Sequence, residues 1–239
     1  MRKRTGEVRL CIYTECMEEY QSSDMVERQD KNIISYFSES PTAAFSYGET
    51  ILNGFDEPTG VFLIKKGFVK SYSTSDDGHA NLLHIHTIGD LIPLPWALDG
   101  INVTGLFYEA MDDVEVIKSS KDKLRITMGN NMWLTQEILN QTVNVIAVYT
   151  RRIQILEFRS ARGRVIAELI LLADRFGKVE GKKIIIRAPI TQQDIADSIN
   201  MNRETASRAL GQLFSEGLVD QVDHLFAIDN MEKLKMALK

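Results

Sequence analysis

The stretch ITQQDIADSINMNRETASRALGQLFSEGL, residues 190–218, contains two helical patterns with only a short turn between them. Thr191, with Asp194 three residues later, is a variant of the capping box and predicts the start of the first helix. Asn202 is a candidate N-cap for the second helix. The run LVDQVDHLFAIDN, residues 218–230, then predicts two short strands. Helix, tight turn, helix and two-stranded ribbon together predict a winged helix-turn-helix.

The polar residues of the second helix lie together on one side, opposite its apolar side. They are Arg203, Glu204, Ser207 and Arg208. At about 100° per residue they share one face of the first two turns, which in a recognition helix meets base edges in the major groove. Arginine pairs with guanine, and glutamate accepts a hydrogen bond from cytosine. The pattern predicts contact with double-stranded DNA. Its alternative is a solvated face with a Glu204–Arg208 ion pair.

The N-termini of the two helices supply further candidate DNA contacts. Free backbone N–H groups and short polar side chains at such ends bind phosphate. The candidates are Thr191, Gln192 and Gln193 on the first helix and Asn202 at the start of the second. We expect the three residues of the first helix to hold the DNA backbone while the second helix reads the bases.

Charge is divided unevenly along the 239 residues. Residues 1–150 contain 13 Lys and Arg against 21 Asp and Glu, whereas residues 151–239 contain 15 against 12. The mildly basic C-terminal part suits DNA phosphates. No apolar run approaches the roughly 20 residues of a membrane span, and the N-terminus lacks the apolar region of a secretory signal. With only two cysteines, Cys11 and Cys16, the sequence predicts a cytoplasmic protein that does not contact a membrane.

Turn signals at roughly ten-residue spacing predict an antiparallel barrel or sandwich over residues 31–127. Short apolar or alternating runs, among them VFLIKKGFVKSYS and NLLHIHTIGDLI, are separated by turns that contain Gly, Asp or Pro. Residues 1–30 are polar and predict an N-terminal extension. The winged helix-turn-helix domain is predicted over residues 159–239, where Gly177 is expected to cap the end of its first helix.

A heptad pattern over residues 128–158 predicts one long helix that pairs with a second copy as a parallel coiled coil. The predicted interface positions are Thr135, Leu139, Thr142, Ile146, Tyr149, Ile153 and Leu156. At about 1.5 Å per residue the helix is roughly 45 Å long. One compact barrel cannot cover both this stripe and the second apolar stripe beside it, so the pattern predicts a homodimer.

The helix-turn-helix stretch resembles the DNA-binding domain of the Crp/Fnr family of bacterial transcription regulators. The resemblance covers about residues 40–230 and includes FSYGETI, DDGHANLLHIHTIGDLI and YEAMDDVEV. It implies an α+β fold: an N-terminal double-stranded β-helix barrel, similar to cupins and cyclic-nucleotide-binding domains, then a long dimerisation helix and a C-terminal winged helix-turn-helix. It also implies a homodimer on a pseudo-palindromic promoter site, with RNA polymerase as a further partner.

The resemblance leaves two half-sites open. Arg203, Glu204 and Arg208 match the family's triplet for a TGTGA-type half-site. Glu204, Ser207 and Arg208 match equally the triplet for a TTGAT-type half-site. This chain carries both sets of residues.

The sequence departs from the family's cyclic-nucleotide receptors, which hold the phosphate with a Gly-Glu-Leu segment and an Arg-Ser or Arg-Thr pair. Here Gly89-Asp90 is followed by LIPLPWALDG, and Thr104 and Gly105 stand where the pair is expected. The cation that a cyclic phosphate needs is missing, so we expect no cyclic AMP. The family's cluster sensors need four cysteines, so we expect no iron–sulfur cluster. We predict no haem either.

Two groups of residues are candidates for sensing a signal. His84 and His86 alternate on a predicted strand and face the same side. They can ligate metal or haem or sense pH, but the prediction is two ordinary strand histidines and no metal site. Trp96, Phe107 and Tyr108 are either core residues or the lining of an apolar effector pocket between the barrel and the long helix. The sequence does not identify an effector.

The predicted function is that of a sequence-specific, DNA-binding transcriptional regulator without enzymatic activity. The alternative is a cupin-like metal-binding protein or enzyme with a protein-binding wing domain. Such a metal centre needs three or four His or Glu ligands on adjacent strands, and the whole chain contains four histidines.

Overall fold

The computed structural model describes residues 33–98 and 105–238. The predictions for the N-terminal extension, residues 1–30, for the two cysteines within it and for Thr104 lie outside these ranges. Within the described ranges, no helix combines the length and apolar character needed to cross a lipid bilayer.

Eight strands form two four-stranded antiparallel sheets in the N-terminal half, which we call the β-domain. They are β1 (Thr42–Phe45), β2 (Thr50–Leu52), β3 (Val61–Lys66), β4 (Val69–Thr74), β5 (Ala80–His86), β6 (Leu91–Ile92), β7 (Leu106–Ala110) and β8 (Val114–Ser119). The first sheet has the order β1-β8-β3-β6 and the second β2-β7-β4-β5. The chain thus crosses repeatedly from one sheet to the other, which confirms the predicted double-stranded β-helix barrel.

The two sheets of the β-domain enclose an apolar core, because alternate residues of each strand point inward. The core residues are Phe62, Ile64, Ile92, Val114 and Val116 from the first sheet and Ile51, Val69, Tyr108 and Ala110 from the second. On the outer face of the first sheet, Val61, Leu63 and Ile117 pack against helices. The first sheet is therefore covered on both sides.

The predicted single helix over residues 128–158 is interrupted. The helices are α1 (Leu94–Ala97), α2 (Lys121–Asn130), α3 (Met132–Leu156), α4 (Ala161–Phe176), α5 (Gln192–Ser198), α6 (Arg203–Ser215) and α7 (Met231–Met236). Asn131, between α2 and α3, is extended with φ −139° and ψ 98°, and its side chain accepts a hydrogen bond from Leu134 N–H. Asn131 therefore caps α3, and Met128, the first residue of the heptad pattern, belongs to α2.

Helix α3 carries two apolar stripes with different surroundings. Leu134 and Ile138 are buried against the first sheet, with exposed fractions of 0% and 1%. On the other stripe, Leu139, Ile146 and Ile153 are 53%, 59% and 65% exposed. The β-domain thus covers one stripe, and the seven predicted interface positions, which we call the seam, form a stripe that a single chain leaves partly or mostly exposed.

The C-terminal part confirms the predicted winged helix-turn-helix. A third sheet contains β9 (Gly177–Glu180), β10 (Lys183–Ile186), β11 (Val219–Val222) and β12 (Leu225–Ile228), in the order β11-β12-β10-β9. Between α5 and α6, Asn200 has φ 49°, a left-handed conformation that asparagine tolerates in tight turns. At the tip of the wing, Asp223 and His224 also have positive φ, as a two-residue hairpin turn requires.

Gly177 caps the end of α4 as predicted, because its N–H donates to the carbonyl oxygen of Ala173. Its φ of −76° and ψ of 134° are extended, and it is the first residue of β9. A Cβ atom at this position would collide with the carbonyl oxygen of Ala173 and approach Ile184 Cγ2 to 2.6 Å. The glycine therefore allows β9 to leave α4 while packing closely on it.

We expect Gly177→Ala to lower the free energy of unfolding by about 1–3 kcal/mol, because overpacking forces the backbone to shift. Gly211→Ala in α6 is the matched control, since a Cβ atom there meets nothing within 4 Å. Alanine in a helix should stabilise the protein by up to about 1 kcal/mol relative to glycine. Urea unfolding measures both variants, and effects of the same sign would contradict the spatial role of Gly177.

Candidate DNA-binding site

The start of α5 is fixed by the predicted capping box. Asp194 N–H donates to Thr191 Oγ1 at 3.1 Å, and Thr191 N–H donates to Asp194 Oδ2 at 2.9 Å. Ile195 and Ala196 are fully buried where α5 packs on α6. Because Ala196 is small, the two helices can cross closely, and the position of α6 follows from that of α5.

Helix α6 begins at its predicted cap and buries one complete side. Asn202 Oδ1 accepts a hydrogen bond from Thr205 N–H at 2.9 Å, which satisfies one of the free N–H groups of the first turn. Ala206, Leu210 and Leu213 are fully buried. With this side fixed in the core, the orientation of the polar side is set by the helical period.

The four residues predicted to read bases all lie on the accessible side of α6. Arg203, Glu204 and Arg208 are exposed, and Ser207 is partly exposed. Arg208 Nε donates to the carbonyl oxygen of Glu204, and Arg208 Nη2 donates to Thr205 Oγ1, both at 3.4 Å. These long contacts go to a backbone oxygen and a hydroxyl group and not to the Glu204 carboxylate, so the guanidinium can turn towards a base edge at little cost.

The four predicted DNA contacts at the helix N-termini differ in the donors that they can offer. The Thr191 hydroxyl group donates to Asp194 Oδ2 at 2.6 Å, so a phosphate contact by Thr191 would require the cap to rearrange. Gln193 Nε2 donates to Asp197 Oδ1 at 2.6 Å. Asn202 uses its amide oxygen for capping, which leaves the amide NH2 group for another acceptor. The DNA contacts of these residues and of the partly exposed Gln192 stay predictions.

A lysine links the β-domain to the first turn of α5. Lys70 Nζ, on β4, lies 3.0 Å from Glu109 Oε1 and 3.4 Å from Asp194 Oδ1. Burial alone would lower the pKa of Lys70, but Asp194 and Glu109 outweigh it and raise the pKa. Sequence reasoning missed this contact, because no local pattern relates Lys70 to a residue 124 positions away.

Two buried arginines join strand β5 to helices α3 and α4. Arg152, on α3, donates to the carbonyl oxygen of Leu82, and its Nη2 pairs with Glu168 Oε1 of α4 at 3.1 Å. Arg175, at the end of α4, donates from Nη2 to the carbonyl oxygen of Ile85 at 2.7 Å. Because β5 is the last strand of its sheet, both guanidinium groups occupy carbonyls that no neighbouring strand uses.

The two histidines of β5 lie at this junction. Arg175 Nη2 is 2.9 Å from His84 Nε2, and His86 Nε2 is 3.0 Å from Ser71 Oγ. Burial, assisted by Arg175, lowers the pKa of His84 well below its usual value and lowers the pKa of His86 to about 3. Burial also raises the pKa of Asp90 to about 6. The histidines share one side of the strand as predicted, and the contact of His84 with Arg175 of α4 distinguishes it from an ordinary strand residue.

Two of the three predicted pocket residues line the same cavity. Trp96 and Tyr108 both line it, and none of its described lining residues is basic. The free volume is about 20 Å³, enough for about one water molecule. Phe107 does not line this cavity: its ring stacks on Tyr72, with centroids 5.4 Å apart, and meets the edge of Phe55 at 5.3 Å. Successive strand residues point to opposite faces, so Phe107 faces away from the cavity that Tyr108 lines.

A β-barrel joined by a long helix to a winged helix-turn-helix with an exposed polar recognition face defines a class of DNA-binding regulators. Residues 163–237 match the model of the Crp-like helix-turn-helix domain. The chain is 28% identical to electron transport regulator A of Shewanella oneidensis over 188 residues, which are 77% of this chain and 74% of that one. It is 24% identical to the CRP-like cAMP-activated global transcriptional regulator of Mycobacterium tuberculosis, covering 80% of this chain and 84% of the relative. Residues 163–237 are therefore a Crp-like helix-turn-helix domain, and the chain is a DNA-binding transcriptional regulator similar to those of the Crp/Fnr type.

Solved structures show the same fold. A CooA variant from Carboxydothermus hydrogenoformans superposes with a TM-score of 0.71 at 19% identity, over 86% of this chain and 90% of that chain. A regulator of the CRP/FNR family from Thermus thermophilus superposes with a TM-score of 0.65 at 22% identity, over 83% and 98% of the two chains. The alternative of a cupin-like enzyme finds no support, because the relatives from Shewanella oneidensis and Mycobacterium tuberculosis carry the names of regulators.

Proposed function

We propose that the chain binds a pseudo-palindromic promoter site as a homodimer, with α6 of each copy reading one half-site. The observation that carries the proposal is the arrangement of α6. Arg203, Glu204 and Arg208 are exposed in its first two turns, while its opposite side is completely buried. Such a helix places its N-terminal side chains against base edges, and a dimer spaces two such helices about one turn of DNA apart.

The seam of α3 supports the proposed dimer. Leu139, Ile146 and Ile153 each expose more than half of their surface, and they repeat at the spacing of a coiled coil. Burying such surface stabilises a complex by about 25 cal/mol per Å². A second copy of α3, pairing along the same seam, covers these residues and brings two recognition helices side by side.

We assign one function to each of the predicted domains. Residues 31–127 sense a signal, residues 128–158 mediate dimerisation and residues 159–239 bind DNA. RNA polymerase is the proposed further partner, the cytoplasm is the proposed compartment, and no catalytic step is needed. A signal in the β-domain would change the seam and thereby the spacing of the two recognition helices.

We propose an effector other than cyclic AMP, haem or an iron–sulfur cluster. The relative from Mycobacterium tuberculosis is named as cAMP-activated, but a cyclic phosphate needs a cation or several N–H donors. The described residues that line the cavity beside Trp96 and Tyr108 include Asp56 and no basic residue. A small uncharged molecule fits this lining better than an anion, provided that the cavity opens around it.

Selection of binding sites from random double-stranded DNA tests the proposed function. We expect enrichment of a pseudo-palindrome that contains either TGTGA-type or TTGAT-type half-sites. If Arg203 reads a base, Arg203→Val should weaken binding to the enriched site by about 1–3 kcal/mol per half-site. If Ser207 reads a base instead, Ser207→Ala should produce the loss and Arg203→Val should not.

Gln212→Ala is the control for this experiment, because Gln212 is exposed on α6 but lies in its C-terminal half. Its affinity for the enriched site should equal that of the unmodified protein. If no sequence is enriched, or if all three variants bind alike, α6 does not read DNA in the proposed way.

A further inference from the structure

Three potential metal ligands meet where β5 runs into the turn before β6. They are His84, His86 and Asp90, and one nitrogen or oxygen atom of each lies within 4.8 Å of the others. The two imidazole rings are 3% and 7% exposed, with centroids 4.5 Å apart. Within the described ranges, no other three His, Cys, Asp or Glu side chains come close enough to hold an ion.

We propose that His84, His86 and Asp90 bind a first-row transition-metal dication such as Zn²⁺ or Fe²⁺. Two imidazoles and one carboxylate suit these ions, whereas Ca²⁺ and Mg²⁺ prefer oxygen ligands alone. Around one tetrahedral ion, bonds of about 2.0–2.2 Å place the ligand atoms about 3.3–3.6 Å apart. Side-chain movements of about 1 Å therefore close the site, and three protein ligands leave a position open for water or a small molecule.

Two of the three ligands are already oriented by their neighbours. Ser71 Oγ reaches the carbonyl oxygen of His84 at 3.5 Å, and it lies 3.0 Å from His86 Nε2. A hydroxyl group that donates to the carbonyl accepts from His86 Nε2–H, which leaves the lone pair of His86 Nδ1 for a metal. Asp90 Oδ2 accepts a hydrogen bond from Thr87 N–H at 2.8 Å, which fixes the carboxylate in the turn.

The third ligand, His84, is held by Arg175. A guanidinium group only donates, so Arg175 Nη2 must donate to His84 Nε2, and the imidazole proton is on Nδ1. A neutral imidazole has a single acceptor lone pair. Binding of His84 to a metal through either nitrogen therefore requires the hydrogen bond from Arg175 to break. The His84 Nδ1–H group finds no partner among the described residues, so the present arrangement leaves a buried donor unsatisfied.

Because His84 cannot bind a metal and accept the hydrogen bond from Arg175 at the same time, the metal site is coupled to the position of α4. Arg175 is the second-last residue of α4, and its contacts with His84 and Ile85 hold the end of that helix on β5. A bound metal would displace this cation from His84 and loosen α4 from the β-domain. Its effect on DNA binding rests on the proposed function, whereas the metal site itself does not.

The same turn is also attached to the dimerisation helix. Gln141 Nε2, on α3, donates to the carbonyl oxygen of Gly89 at 2.8 Å, and Gln141 Oε1 accepts from Leu91 N–H at 3.2 Å. These bonds flank Asp90 on both sides. A shift of Asp90 towards a metal would therefore be transmitted to α3 as well as to α4.

Titration of the metal-free, full-length protein with Co²⁺ tests the site without DNA. We expect one Co²⁺ per chain, with the visible absorption bands of nitrogen and oxygen ligation, and displacement by Zn²⁺. His86→Ala and Asp90→Asn should abolish this binding. The other two histidines, His79 and His224, are exposed, and the double variant His79→Ala/His224→Ala should bind as the unmodified protein does. Absence of binding, or its loss in the double variant only, would overturn the proposal.

Two further variants test whether Arg175 competes with the metal for His84 and whether Ser71 orients His86. Arg175→Met removes the competing donor at similar length, so it should bind Co²⁺ more tightly than the unmodified protein. Ser71→Ala should weaken binding about 10-fold or more, as loss of a hydrogen bond to a metal-ligating histidine does. Circular dichroism and thermal unfolding verify that both variants fold. A folded Arg175→Met protein with unchanged or weaker Co²⁺ affinity would show that Arg175 does not compete with the metal.

Discussion

Arg208→Ala should remove most of the sequence preference in DNA binding. A bidentate contact between arginine and guanine contributes about 1–3 kcal/mol of discrimination. Since each subunit of the proposed dimer supplies one such contact, and well-separated contacts are roughly additive, the expected loss is about 2–6 kcal/mol. Fluorescence anisotropy with the enriched duplex and with a scrambled duplex measures it, and the two affinities should converge in the variant.

Arg159→Ala is the matched control for Arg208→Ala. Arg159 is also an exposed arginine of the C-terminal part, but it lies between α3 and α4 and outside the recognition helix. Both variants lose one positive charge, so both should lose a similar, small share of non-specific affinity. If Arg159→Ala lowers the preference between the two duplexes as much as Arg208→Ala does, Arg208 acts only through its charge.

The double variant Ile146→Glu/Ile153→Glu should be monomeric and should bind the enriched site far more weakly. Burying an isoleucine side chain contributes about 1.5–3 kcal/mol, and a dimer buries four of them at these two positions. Ile146 and Ile153 are 59% and 65% exposed in the single chain, so the expected loss is about 4–7 kcal/mol before the cost of burying four carboxylates is added. Sedimentation equilibrium measures the association, and the thermal unfolding of the monomer verifies the fold.

Ala147→Glu is the control for the seam. Ala147 is exposed on α3, next to Ile146 in sequence but outside the seam positions. This variant should remain dimeric at the same protein concentration. A monomeric Ala147→Glu protein would show that charge anywhere on α3 prevents association, and a dimeric double variant would show that the interface lies elsewhere.

The helix caps of the DNA-binding part could be predicted because their partners are close in sequence. Thr191 with Asp194 and Asn202 with Thr205 are each three residues apart, so a short pattern contains the whole interaction. The break at Asn131 could not be predicted in the same way. Met128 and Met132 continue the apolar spacing across it, and the pattern does not show that the asparagine side chain caps a new helix.

Sequence patterns could not predict the junction between the β-domain and α4. Arg152 and Arg175 occupy positions in helical patterns where a surface residue is equally expected. Their partners Leu82 and His84 are 70 and 91 residues away, so only the folded chain brings them together. The separation of Phe107 from Tyr108, by contrast, is visible in the sequence, because neighbouring strand residues point to opposite faces.

Strand β5 needs the rest of the chain to cover its open side. Its outer carbonyl groups at Leu82 and Ile85 are occupied by Arg152 and Arg175, and a strand edge without such cover pairs readily with other chains. A fragment that ends after α3 would keep Arg152 but lose both Arg175 and the Glu168 carboxylate that holds Arg152 in place. The isolated β-domain should therefore tend to aggregate, and the DNA-binding part should protect its neighbour against self-association in addition to its role in binding DNA.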